Sequence, residues 1–277
     1  MTECCSCHQV KECICLRKGV NRCADCQCNA AGRSLMDSFK KGITKISGTI
    51  HVLVAISGRS SSMFALDVLT RHLTPNMKGK TTIVRKLEAI TSVSDFDLKS
   101  KFTRVSDSDP SPTQNVVLHK IPNFTISSII EFAKSNDFNC VILADNADRI
   151  SLANIAVLSC GRPEFAYWIS SDDHENYAPV SILRPARQVL SIEAEFYCKH
   201  KGIIFDGSAS PLKKVFKYEE EMLKSIYDDG NGGIAFAVQK LGEKLVPFKQ
   251  PGRCPSCGLP GLDDSICAFC SALQNNA

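Results

Sequence analysis

The 277-residue chain is 44% apolar and 22% charged with a net charge of +4, the balance of an ordinary globular protein with room for one full α/β domain plus small appendages. No apolar run reaches the ~18 residues of a membrane span and MTECCSCHQVKECIC has no signal-peptide core, so no membrane is expected and the protein is assigned to the cytoplasm. The mild positive charge allows a nucleic-acid partner without requiring one.

Eight of the fifteen cysteines lie in the first 28 residues and four in the last 24. A reducing compartment disfavours disulfides, so this clustering predicts metal ligands at both ends. Cys4 and Cys7 pair with Cys23 and Cys26 across a 15-residue spacer, which suits a structural zinc ribbon. Cys5, Cys13, Cys15, Cys28 and His8 leave open a different set or a second metal. Residues 1–44 are expected to be this module and a linker.

The middle, residues 45–207, alternates strand-like and helix-like runs. HVLVAI (51–56), TTIVRKL (81–87), NVVLHKI (115–121), NCVILAD (139–145) and VSILR (180–184) are short and rich in β-branched residues, as buried parallel strands are. Met63, Leu66, Leu69 and Leu73 share one helix face, as do Ile126, Ile129, Ile130 and Ala133. The alternation predicts a doubly wound α/β sheet, on which ligands bind beyond the carboxyl ends of the strands. Residues 91–114 break both periods and are expected to be a polar surface loop.

From Ser210 the pattern is helical through residues 208–250, opening on Pro211. Residues 251–277 then hold Cys254, Cys257, Cys267 and Cys270, two CxxC turns separated by nine residues. These supply the four thiolates that structural zinc prefers.

The first core strand runs directly into SGRSSS, residues 57–62. A glycine after a strand lets the backbone approach an anion, and a following helix N-terminus adds a favourable field. Ser57, Gly58 and Ser62 fit that plan. Read alone, the stretch is equally a strand-to-helix turn with ordinary serine caps.

Here the sequence resembles the PP-loop ATP pyrophosphatases, whose signature is SGGxDS. Arg59 stands at the second glycine and Ser61 at the acid. Arg59 crowds the point where backbone would meet pyrophosphate, although its guanidinium could bind an anion, and Ser61 removes a carboxylate suited to Mg2+. Both departures put ATP binding in doubt. LADNADRISLANIAVLSCGRP (143–163), with Asn146, Ala147 and Asp148, is similar to the second block of the tRNA-thiolating members. ILRPARQVLSIEAEFYCKHKGI (182–203), with Glu193 and Tyr197, is similar to the third. With the cysteine pairs before and after the core, the chain resembles the cytoplasmic tRNA 2-thiolation protein 2 family, the degenerate PP-loop subunit of a wobble-uridine thiolation heterodimer.

The resemblance implies a PP-loop, adenine-nucleotide-hydrolase-like parallel sheet with zinc-ribbon-like modules at both ends. It further implies a non-catalytic role beside a catalytic PP-loop partner, which would adenylate C2 of uridine with ATP and accept sulfur from a ubiquitin-like carrier. Such chemistry wants an activated thiol near the loop. The family's catalytic subunits carry a CxxC before the second block, whereas HKIPNFTISSIIEFAKS has none. Cys140 in an apolar strand reads as inert filler, and Cys198 and Cys160 have only single basic neighbours to activate them. Candidate tRNA contacts are Arg184, Arg187, Lys199, Lys201, Lys213, Lys214 and Lys217, which could neutralise phosphates or be an ordinary solvated face. Two other readings are an active ATP pyrophosphatase-type tRNA-modifying enzyme, with Arg59 replacing the lost contacts, and a zinc-bearing scaffold without RNA contact.

Overall fold

The structure, a computed structural model, describes residues 1–73, 84–102, 112–208, 210–228, 233–245 and 251–275. Two small antiparallel pairs come first: β1 (Thr2–Glu3) with β2 (Val10–Lys11), and β3 (Cys13–Arg17) with β4 (Val20–Cys23). They feed directly into a 20-residue helix, α1 (Ala24–Ile43), where a linker was expected. Ala31, Leu35, Phe39 and Ile43 recur every fourth residue and are all buried, so the stripe docks α1 on the core.

The core then runs β5 (Ile50–Ala55), α2 (Ser60–Leu73), β6 (Val84–Thr91), α3 (Leu98–Lys101), β7 (Leu118–Lys120), α4 (Ile126–Ser135), β8 (Cys140–Leu143), α5 (Ala147–Ser159), α6 (Phe165–Ser170), β9 (Ser181–Leu183) and α7 (Ser191–His200). The five strands form one parallel sheet in the order β7-β6-β5-β8-β9. Val52, Leu53 and Val54 on the central strand are fully buried. A sheet covered on both faces requires such apolar runs, and each large side chain contributes about 1.5–3 kcal/mol. The chain moves outward from β5 to β6 and β7, then returns to β8 on the other side. The crevice beyond the carboxyl ends of β5 and β8 is therefore the switch point of the sheet.

Two expected boundaries move. The strand sought at 81–87 occupies 84–91 within the described residues, and the one sought at 115–121 shortens because Pro112–Asn115 form a 3-10 turn. Residues 91–102 are not a plain surface loop: Phe96, Leu98 and Phe102 are buried there, with Asp97 capping α3 through the amides of Lys99 and Ser100. Three apolar side chains among polar ones suffice to pin the segment to the core. The rest of that expected loop, 103–111, lies outside the described residues.

Past the core come α8 (Pro211–Val215), α9 (Lys217–Asp228) and α10 (Ile234–Lys244), then β10 (Gly252–Arg253), β11 (Pro260–Gly261) and α11 (Ala268–Asn275). Ser210 caps α8 through the Lys213 amide, with Pro211 in its first turn. Helix α10 lies against α5, where Ser151 Oγ donates to the Ala235 carbonyl at 2.7 Å. The terminal cysteine module is bonded to the core: Tyr177 OH donates to the Cys257 carbonyl (2.5 Å), Arg162 Nη2 to Pro260 O (3.1 Å) and Arg253 Nη1 to Asn176 O (2.9 Å). Among the described residues no helix is long and apolar enough to cross a membrane.

Candidate functional site

The turn after β5 lies at the switch point. Gly58 has φ +79°, a left-handed conformation that favours glycine, and a Cβ there would stand 3.4 Å from the Phe96 ring. Gly58 O accepts from the Asp206 amide at 2.9 Å, and Arg59 forms a parallel bridge with Asp206. The Arg59 side chain turns to the same segment, Nε donating to Ser208 O at 3.4 Å. Ser62 Oγ donates to Arg59 O at 2.9 Å and lies 3.3 Å from Ser57 Oγ. The turn is thus clasped by residues 206–208 of its own chain.

Three helix N-termini, those of α2, α5 and α7, are tied together here by one side chain. Asn146 Oδ1 caps α5 through the Arg149 amide (2.9 Å), while Nδ2 donates to Ser61 Oγ (2.6 Å) and Ser191 Oγ (2.9 Å). Asp148 Oδ2 accepts from the Ser191 amide at 2.5 Å. Ser61, standing where the pattern wants an acid, accepts a hydrogen bond that a carboxylate could also accept. Convergent N-termini present positive field and suit an anion.

Charges around the crevice perturb one another. Burial, then the neighbouring Arg149, lowers the Arg59 pKa against the opposing pull of Asp206. Burial raises the Asp145 carboxyl, but Arg149 at 2.6 Å and Arg184 at 3.5 Å outweigh it and hold the group below its usual range. The amide and hydroxyl of Ser208 lower Asp206, and Arg59 adds to the effect.

At the two ends the cysteines gather. Cys4, Cys7, Cys23 and Cys26 bring their sulfurs within 4.8 Å of one another, as do Cys254, Cys257, Cys267 and Cys270. The Cys7 and Cys23 sulfurs are 3.9 Å apart, close to the ~3.8 Å edge of a tetrahedron with metal–sulfur bonds of about 2.3 Å. Each set can hold one tetrahedral ion. Amide donors, the Cys23 amide first, lower the Cys4 thiol to about 5.

No family model and no curated protein matches the sequence. Among solved structures the chain is similar to "U34-tRNA thiolase NcsA from Methanococcus maripaludis with its [4Fe-4S] cluster", with a TM-score of 0.66 at 14% identity over 99% of this chain and 96% of that one. The two chains share a fold. The expected class, a PP-loop-like parallel α/β core with a four-cysteine module at each end, is the one found.

The three thiols between the two ends sit in different surroundings. Cys140 is fully buried in β8 and Cys198 in α7, where its sulfur lies 3.4 Å from Ser60 O; burial raises both. Burial, with Glu219 and Cys267 nearby, also raises Cys160 at the end of α5. None of these environments favours a thiolate.

The expected basic row divides. Lys199, Lys201 and Lys214 are exposed, whereas Lys213 pairs with Glu220 at 3.2 Å and Lys217 with Glu221 at 3.8 Å. Arg184 and Arg187 are not free surface cations. Arg184 is 5% exposed, donating to Ser171 O (2.8 Å) beside Asp145, and Arg187 pairs with Asp172 at 2.9 Å. Both follow the closely packed β9, so their side chains serve internal carboxylates rather than solvent. Four residues of the site carried no local signal: Phe96, Ser191, Asp206 and Ser208 reach the turn only through tertiary folding.

Proposed function

We propose that this chain is the non-catalytic subunit of an assembly that 2-thiolates the wobble uridine of cytosolic tRNAs. It binds tRNA and supports a catalytic PP-loop partner that uses ATP and sulfur from a ubiquitin-like carrier. The observation that carries this reading is the turn at 57–62, which keeps its first glycine and its place at the switch point but has Arg59, turned to Ser208 O, at the second glycine and Ser61 at the acid. The full-length likeness to a U34-tRNA thiolase supports the substrate class. That the described residues gather cysteines in groups of four only at the two ends supports a partner's supplying the sulfur chemistry.

Zinc is the metal this reading assigns to both four-cysteine sets. Sulfurs this close share one ion, whereas a four-iron cluster places each thiolate on its own iron.

The test is genetic and biochemical. Cells lacking the protein should lose 2-thiouridine at the wobble position, and the purified chain alone should release no AMP from ATP. Intact 2-thiouridine in those cells, or pyrophosphate and AMP formation by the isolated chain, ends this reading.

A further inference from the structure

A second recess, of about 490 Å³, opens between α1, α2 and the end of α7, lined by Arg33, Arg71, His72, Tyr197 and Lys201 over Val68. Helix α2 has its N-terminus at the 57–62 turn and carries Arg71 near its far end. Eleven residues at ~1.5 Å rise separate Ser60 from Arg71, about 17 Å. This is a different place from the crevice.

We propose that the recess binds the phosphodiester backbone of an RNA, holding the strand while its reacting base is handled elsewhere. The choice of RNA as the polyanion rests on the tRNA reading above. Arg33 and Lys201 are exposed, and neither has an acidic ion-pair partner among the described residues. None of the lining residues is acidic, and Asp67, one turn before Arg71, is fully buried. It accepts from Arg71 Nε (2.7 Å) and Nη2 (2.9 Å), Tyr197 OH (2.8 Å) and Thr113 Oγ1 (3.2 Å). Asp25, in the first turn of α1, pairs with His200 Nε2 at 3.1 Å. Cations therefore outnumber acids on the walls.

The shape favours a strand over a small ion. The basic groups come from three helices around an open volume several times that of a phosphate, and the floor at Val68 offers apolar contact to a sugar. The Arg33 guanidinium and the Lys201 ammonium can neutralise successive phosphates without reading sequence, while Arg71 is held by Asp67. His72 adds a ring whose pKa is lowered by burial and by Lys40 and Arg71, so it serves as a neutral hydrogen-bonding group.

The experiment is a salt series of tRNA binding to the full chain, to Arg33→Glu/Lys201→Glu and to Arg33→Lys/Lys201→Arg. Charge reversal should weaken binding at least about tenfold at ~0.15 M salt and flatten the slope of log affinity against log salt by roughly two, one for each lost phosphate contact. The charge-conserving pair should bind like the parent. Unchanged binding after charge reversal would leave Arg33 and Lys201 as ordinary solvated cations and overturn the proposal. Equal loss in both variants, or a parent that retains inorganic pyrophosphate but no tRNA, or that binds no tRNA, overturns it as well. Persistence of 2-thiouridine in cells without the protein would sink the thiolation reading alone, leaving a charge-dependent RNA site standing.

Discussion

Arg17 of the N-terminal cysteine module grips Glu193 at the start of α7 with two bonds, Nε to Oε1 at 2.7 Å and Nη2 to Oε2 at 2.6 Å. Glu193 is 2% exposed and also accepts from Gln27 Nε2 and the Leu190 amide, each at 3.0 Å. Arg17 Nη2 donates to Gln188 O, and its guanidinium stacks over the Phe236 ring of α10. One ion pair thus fastens the cysteine module, α7 and α10 together. Arg17→Ala leaves a buried carboxylate with neutral donors only. The expected loss is about 3 kcal/mol, the low end for breaking a buried pair because Arg17 is itself one-third exposed. Urea unfolding measures it, and a loss under about 1 kcal/mol would place this pair with ordinary surface bridges.

Asn146 is expected to matter to stability before it matters to any ligand. Asn146→Ala removes the α5 cap, worth about 1 kcal/mol, and the links to Ser61 and Ser191, worth about 1 kcal/mol each. A total near 2–3 kcal/mol should appear in thermal unfolding. Asn146→Asp keeps the cap acceptor and should lose less. Equal losses would mean that the cap contributes nothing here.

These two constellations differ in how far the sequence discloses them. The sheet was legible because β-branched runs alternate with apolar helix stripes, and Gly58 at the end of β5 marked the crevice by position alone. The gathering of four cysteines at each end was legible because each CxxC confines two sulfurs to one tight turn. Helix α1 was hidden by the cysteines at its start and by Gly32 near its middle, which mask the stripe of Leu35, Phe39 and Ile43. The clasp on the turn was hidden because Asp206 and Ser208 are separated from Gly58 by nearly the whole core. The surroundings of Arg184 and Arg187 were not legible, because composition cannot tell a cation facing water from one facing Asp145 or Asp172.

Asp145 gives the crevice a pH signature. Burial opposes its ionisation, but Arg149 and Arg184 prevail and its native pKa lies below the ordinary value of about 3.9. A carboxyl depressed on folding stabilises the native state fully above the unfolded pKa, and that contribution disappears as pH falls through the native pKa. Asp145→Asn should therefore reduce stability at pH 7 and narrow the gap between unfolding free energies at pH 7 and pH 3. A gap as wide as the parent's would show that Asp145 is not part of the acid response.

The two four-cysteine sets should fail differently. Cys254 is 1% exposed, and its set belongs to the same apolar cluster as Val141, Phe165 and Ile182, whereas Cys7 in the N-terminal set is only half-buried. Two bound ions per chain are expected, falling to one in either Cys254→Ser or Cys7→Ser. Because the C-terminal set is continuous with the core beside β8 and β9, Cys254→Ser should lower the unfolding temperature of the whole chain. Cys7→Ser should mainly loosen the N-terminal module, which Arg17 still holds to Glu193. Both ions should leave on acidification, since thiolates bind metal and thiols do not. Native mass spectrometry with thermal unfolding checks the pair. A metal count unchanged by both substitutions would remove these cysteines from the ligand sets, and a larger thermal loss for Cys7→Ser would contradict the packing argument.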